Sequence, residues 1–203
     1  MKVNRMSTSS HGNVIRRPGG RTAEVTARVH GAIVDLLMEG GVQACTFSAV
    51  AERAGVERST LYRRFPDRWE AIIDALMERA AADVLPDLGK SFAHDLRSVL
   101  FKLRDTLNSP LGPALLAVAV ELRSEDNEYP RAYFDRRLEH LQPMFDAAIA
   151  RGELPPDADR EAIFSLAAGA IYFRTFIASR QVEDAFIDDL VEKICWLHCA
   201  QAS

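Results

Sequence analysis

Thr46-Phe-Ser-Ala-Val-Ala-Glu-Arg-Ala-Gly55-Val-Glu-Arg-Ser-Thr-Leu-Tyr-Arg-Arg-Phe-Pro-Asp-Arg68 is the stretch that decides the fold. It reads as two short helices, over 47–54 and 58–64, joined by a tight turn. The Thr46 hydroxyl can accept a backbone N–H and so cap the first helix. Gly55 ends that helix and supplies the positive φ the turn needs. Ala51 is small enough to let the second helix approach closely. Val50, Val56 and Leu61 are spaced to fill the wedge between the two. The second helix then shows Arg58, Ser59, Thr60, Tyr62, Arg63 and Arg64 with no acid after Glu57. A solvated helix normally mixes both signs of charge, whereas this face of donors and one aromatic suits a DNA major groove.

Working outward, every later segment repeats at helical steps rather than alternating. Val25, Val29, Ile33, Leu36 and Leu37 predict a helix over 22–39, stopped by Gly40-Gly41. Pro66-Asp67 breaks the chain and starts another over 67–84. Phe92, Leu96, Val99, Leu103 and Leu107 mark a fifth. Ser109-Pro110 and Pro130 open a sixth and a seventh, and Pro143 should kink the seventh. An eighth over 159–180 and a ninth over 183–199 complete an all-α chain of about nine helices. The predicted organisation is a flexible basic arm over 1–20, a helix-turn-helix head over 21–66, a connecting helix over 67–85, and a ligand-binding and dimerisation body over 86–203.

Charge follows the same division. Net charge is −4, yet residues 1–68 carry 11 Lys or Arg against six acids, so the remainder is strongly acidic. A basic head on an acidic body is the distribution of a DNA-reading protein. In the arm, Arg16, Arg17 and Arg21 precede any acid; they form either a solvated tail or an arm that touches phosphates or the minor groove. The longest apolar run, Ala114 to Val120, is far below a membrane span. The first twenty residues have no signal-peptide stretch. A cytoplasmic protein with no membrane partner is expected. Three scattered cysteines do not form a disulfide framework.

The turn Ala54-Gly55-Val56, the run Thr60-Leu61-Tyr62, the Phe65-Pro66-Asp67-Arg68 break and the following Trp69-Glu70-Ala71-Ile72-Ile73 resemble the signature of the TetR family of bacterial regulators. The specific match covers about 22–77. The resemblance implies that Thr46 caps its helix and reaches a phosphate, and that Ser48 lies where some members place a base reader. It implies that Arg58 and Ser59, joined by Arg63, meet base edges. Thr60, Tyr62 and Arg64 would touch phosphates, and Arg68 would grip the backbone. It further implies a transcriptional regulator, most simply a repressor, on double-stranded operator DNA.

Two recognition helices are needed to find one operator, so a homodimer is expected. The last two helices are its predicted interface, through Phe164, Ala167, Ala168 and Ile171 and through Phe186, Leu190, Ile194 and Leu197. An excess of aromatics with a few charges points to a pocket near Phe101, Leu115, Glu121, Tyr133, Phe134, Arg137 and Tyr172. An apolar or amphipathic small molecule would suit it. The alternative is a body that binds a protein partner, and an internal cavity separates the two readings. No cofactor or metal is expected. Cys195, His198 and Cys199 share a helix face but lack an evident fourth ligand and pack equally well as small apolar groups. Arg174 suits either an anion or an interface ion pair. The five histidines are scattered, and no phosphate loop, nucleophile elbow or His-Glu-x-x-His motif occurs, so an enzyme is not expected.

Overall fold

Helical stripes need partners, and the chain pairs them around two apolar cores. The computed structural model describes residues 20–84, 88–124 and 129–198, and within them every regular element is helical. In order these are α1 (Gly20–Ala44), α2 (Phe47–Ala54), α3 (Arg58–Arg64), α4 (Arg68–Val84), α5 (Phe92–Asn108), α6 (Leu111–Ser124), α7 (Tyr129–Ala150), α8 (Arg160–Tyr172) and α9 (Asp184–His198). The expectation of about nine helices holds. α1 breaks at Gly41 (φ 65°, ψ −165°), where the glycine pair predicts a stop, and a last turn follows. α7 runs unbroken through Pro143. α8 is shorter than the periodicity predicts, because it passes into a π-helical turn over Phe173–Ile177.

The caps are local and legible. Ser91 accepts from the His94 N–H at 3.2 Å and opens α5. Asp159 accepts from Ala162 N–H at 2.9 Å and opens α8. Asp67 accepts from the amides of Trp69 and Glu70 at 2.7 and 3.1 Å, so the carboxylate precedes α4 and satisfies its first orphan donors.

The first core gathers Ile33 and Leu37 of α1, Val50 of α2, Leu61 of α3 and Ile72 and Leu76 of α4. It also takes Leu111, Ala114, Val118 and Leu122 from α6, which packs along α1. The second core holds Leu96, Leu100 and Leu103 of α5, Leu141 and Phe145 of α7, Ile163, Ala167 and Ile171 of α8, and Ile187, Val191 and Ile194 of α9. Leu115 touches both cores. α6, although it belongs to the body in sequence, is therefore built into the core of the head as well. Among the described residues no helix is long and apolar enough to cross a membrane.

Candidate nucleic-acid interface and internal cavity

The recognition unit is assembled from short pieces that cannot stand alone. A seven-residue helix such as α3 is too short to persist in water. It is held by Leu61, its one buried side chain, and by the following Phe65, which is also buried. The Tyr62 ring meets Phe47 edge-on at 4.9 Å between centroids. The Thr46 hydroxyl accepts from Ala49 N–H at 3.2 Å and caps α2 as the sequence implies. Gly55 closes α2 at φ 62°, ψ 44°, its N–H pointing back to the carbonyls of Ala51 and Glu52. Any L side chain there would be strained in the left-handed region.

This scaffold leaves one outward face. Thr46, Ser48, Arg58, Ser59, Tyr62 and Arg63 are exposed, and Thr60 is half-buried beside them. Arg58 donates to the Tyr62 hydroxyl at 3.5 Å, one helical turn away. Arg68 is half-buried with its guanidinium 4.9 Å from the Trp69 ring centroid. Glu57 precedes α3 and makes no side-chain cap, so its carboxylate stays exposed at the turn. Arg16 and Arg17 lie outside the described residues, and of Arg21 only the backbone, at the start of α1, is described.

Arg64, expected at the phosphates, has protein partners as well. Its side chain is exposed like those of Arg58 and Arg63, but its guanidinium donates to the Thr26 hydroxyl of α1 and lies 3.9 Å from the Asp74 carboxylate of α4. The physical reason is a nearby acid. Asp74 and Glu78 of α4 also flank the buried His30 ring, Asp74 at 3.1 Å from Nε2 and Glu78 at Nδ1. Burial lowers the His30 pKa, against the pull of Asp74. Arg64 thus ties the end of α3 to α1 and α4.

In the body, a cavity of about 330 Å³ opens between α4, α5, α6, α7 and α8. Leu115, Tyr133, Phe134, Arg137 and Tyr172 line it, as predicted from the sequence. Phe101 and Glu121 do not. Phe101 is sandwiched between the guanidinium groups of Arg97 and Arg104, 4.3 and 4.7 Å from its centroid, and those arginines bind Asp188 and Asp184 of α9. Glu121 accepts from Gln43 of α1 at 3.3 Å, across the head–body junction. The sequence reading missed Leu76 and Arg79 of α4, Leu103 and Thr106 of α5, Leu111, and Phe164, Ser165, Ala168 and Gly169 of α8. The apolar stripe of α4 was the signal for Leu76. Burial pushes the Tyr172 hydroxyl up to about 12, with Tyr133 adding to the shift and Arg137 opposing it.

The predicted interface face of α8 is corrected in the same way. Phe164, Ala167, Ala168 and Ile171 are buried inside the protomer, where the small residues let α8 approach α5 and α7. A side chain already enclosed in its own core has no surface to offer a partner. The outward stripe of this region is Leu166, Phe173 and Ile177, the last 69% exposed. On α9, Ile194 is likewise buried, Phe186 and Leu190 are half-buried, and Leu197 and Trp196 are exposed. Arg174 donates to the Gln181 carbonyl at 2.9 Å and stacks over Phe186. Cys199 lies outside the described residues, and no group of three or more His, Cys, Asp or Glu side chains suited to a metal occurs among the described ones.

A capped two-helix motif with an exposed basic second helix, set on a helical body, defines a helix-turn-helix DNA-binding regulator. Residues 31–76 match the family described as bacterial regulatory proteins, tetR family, and residues 85–194 match the tetracyclin repressor-like C-terminal domain. The chain belongs to the TetR family of DNA-binding transcriptional regulators, which are not enzymes. It is 30% identical over 164 residues to the HTH-type transcriptional regulator YdeS of Bacillus subtilis, covering 79% of this chain and 82% of that one. It is also 30% identical over 155 residues to the HTH-type transcriptional regulator AqdR of Rhodococcus erythropolis, covering 75% and 74%. Among solved structures, the TetR family transcription regulator SCO0332 superposes with a TM-score of 0.69 at 28% identity, covering 85% of this chain and 97% of that one.

Proposed function

We propose that this protein is a ligand-responsive repressor that binds a palindromic or near-palindromic operator as a homodimer and is released by a small-molecule effector. The observation that carries the reading is the cavity whose wall includes Leu76 and Arg79 of α4, the helix that leaves the DNA-reading head. A molecule filling that space presses on the head's own support. It shifts the population away from the operator-competent form by its differential affinity for the two states. An open cavity favours a small molecule over a protein partner for the body.

On the DNA side, Arg58 and Ser59 open the recognition helix and read base edges, with Arg63 beside them. Thr46, Thr60, Tyr62 and Arg68 hold phosphates, and Ser48 faces the groove. The arm arginines Arg16, Arg17 and Arg21 add phosphate or minor-groove contacts. One such head reads too few bases to single out an operator. The exposed apolar stripe Leu166, Phe173, Ile177 with Trp196 and Leu197 supports pairing of two copies through α8 and α9. Selection of bound duplexes from a random pool, repeated in the presence of metabolite mixtures, tests the reading directly. A two-fold-symmetric consensus whose occupancy falls with an effector supports it. A consensus insensitive to every compound that binds the body refutes the regulatory half.

A further inference from the structure

Arg137 is the anomaly of the cavity. It is only 7% exposed, it lines the cavity, and no carboxylate pairs with it among the described residues. Several other arginines of the body are paired. Arg97, Arg104, Arg151 and Arg160 all hold acids. A buried guanidinium with no counter-ion is costly unless something in its cavity answers the charge. The phenol rings of Tyr133 and Tyr172 lie close enough to feel its charge. Burial holds both hydroxyls neutral, so they neutralise nothing but can donate to an anion.

We propose that the effector of this cavity is an organic acid, a carboxylate on an apolar or aromatic body, with Arg137 as its counter-ion. The inference rests on the reading of the cavity as an effector site and adds its chemical class. Much of the remaining wall, including Leu76, Leu103, Leu111, Phe134 and Phe164, is apolar and fits a hydrocarbon or ring, with Arg79, Thr106 and Ser165 as its other polar members. A single planar guanidinium matches the two oxygens of a carboxylate, through two parallel N–H donors. The volume of about 330 Å³ lies at the low end for small-molecule sites and suits a medium-chain or aryl-substituted acid rather than a large polycyclic one.

The test compares each acid with its own methyl ester. Straight-chain acids from hexanoate to dodecanoate and phenyl-substituted alkanoates are titrated into the full-length protein by calorimetry, alongside their esters. Operator binding is followed in parallel. At least one acid is expected to bind tenfold or more tighter than its ester in the wild-type protein, a comparison that needs no variant. Arg137→Met, which keeps the apolar stem, should level acid and ester; Arg137→Lys should restore part of the gap without the two-point fork. Esters binding as well as or better than acids overturn the anion proposal while leaving the cavity an effector site. Acids that bind selectively yet never change operator affinity uphold the anion site and refute its regulatory reading. Failure of every acid and every ester to bind overturns the anion proposal and counts against the cavity reading as well.

Discussion

Replacing Leu61 with Ala is the sharpest perturbation of the recognition helix, because Leu61 is the one buried side chain on α3. It is 1% exposed in the core formed with α1, α2 and α4. The substitution removes three carbon groups, which costs about 2.4 kcal/mol at ~0.8 kcal/mol for each. The void left behind adds ~24 cal/mol per Å³, so an unfilled remnant of about 30 Å³ contributes roughly 0.7 kcal/mol. The expected loss is about 3 kcal/mol. For a chain of this size it should lower the melting temperature by roughly 6–12 °C. Denaturant unfolding at constant m measures the loss, and operator titration on the folded variant measures its local share. If α3 undocks, the apparent Kd rises in inverse proportion to the docked fraction, and the α3 amides exchange faster than those of α5. A variant that loses less than about 1 kcal/mol and keeps full operator affinity would refute the claim that this side chain anchors the helix.

The remaining predictions concern base reading, assembly and pH. Arg58→Ala should relax preference at one position of the selected consensus, costing roughly 1–3 kcal/mol, whereas Arg68→Ala should weaken all sequences alike and reduce the salt slope by about one. An unchanged consensus for Arg58→Ala removes its base-reading role. Leu166→Glu with Phe173→Glu should give a monomer by sedimentation at micromolar concentration, while Ala167→Glu, buried inside the protomer, should unfold it instead; a dimer that survives the first pair lies elsewhere. Burial depresses the His30 pKa below 6.5 despite the opposing pull of Asp74, so the unfolded chain binds more protons as pH falls through 6.5. Stability should therefore drop on acidification from that point, and His30→Asn should flatten this part of the pH–stability curve.

Periodicity made the helices legible because burial imposes it on every stripe, and the caps at Thr46 and Asp67 are written in local chemistry. Facing is harder. A 3.6-residue stripe says which residues share a side, not which neighbour covers them. The run Ala167, Ala168, Gly169, Ala170 permits close helix approach equally to a partner chain or to α5, and the protomer buries Ala167 and Ala168 for itself while Gly169 stays exposed. An aromatic excess with a few charges points to Phe101 and Glu121 as cavity residues, but Gln43 draws Glu121 to the head and two arginines lie against the Phe101 ring. Arg64 reads like its neighbours Arg58 and Arg63, and only the position of Asp74 on another helix separates them. The π-helical turn at Phe173–Ile177 has no periodic mark, since one extra residue per turn leaves the apolar composition unchanged.

The double allegiance of α6 limits how such a regulator can be rebuilt. Four of its side chains complete the core beneath the helix-turn-helix, and Leu111 among them also forms a wall of the cavity. A hybrid made by joining this head, cut after α4, to a foreign sensor would leave an apolar groove along α1 open to water unless the incoming sixth helix carried matching residues. The exchangeable unit is accordingly the head together with the inner face of α6. A graft that respects that seam should express as a soluble hybrid, and one that ignores it should aggregate.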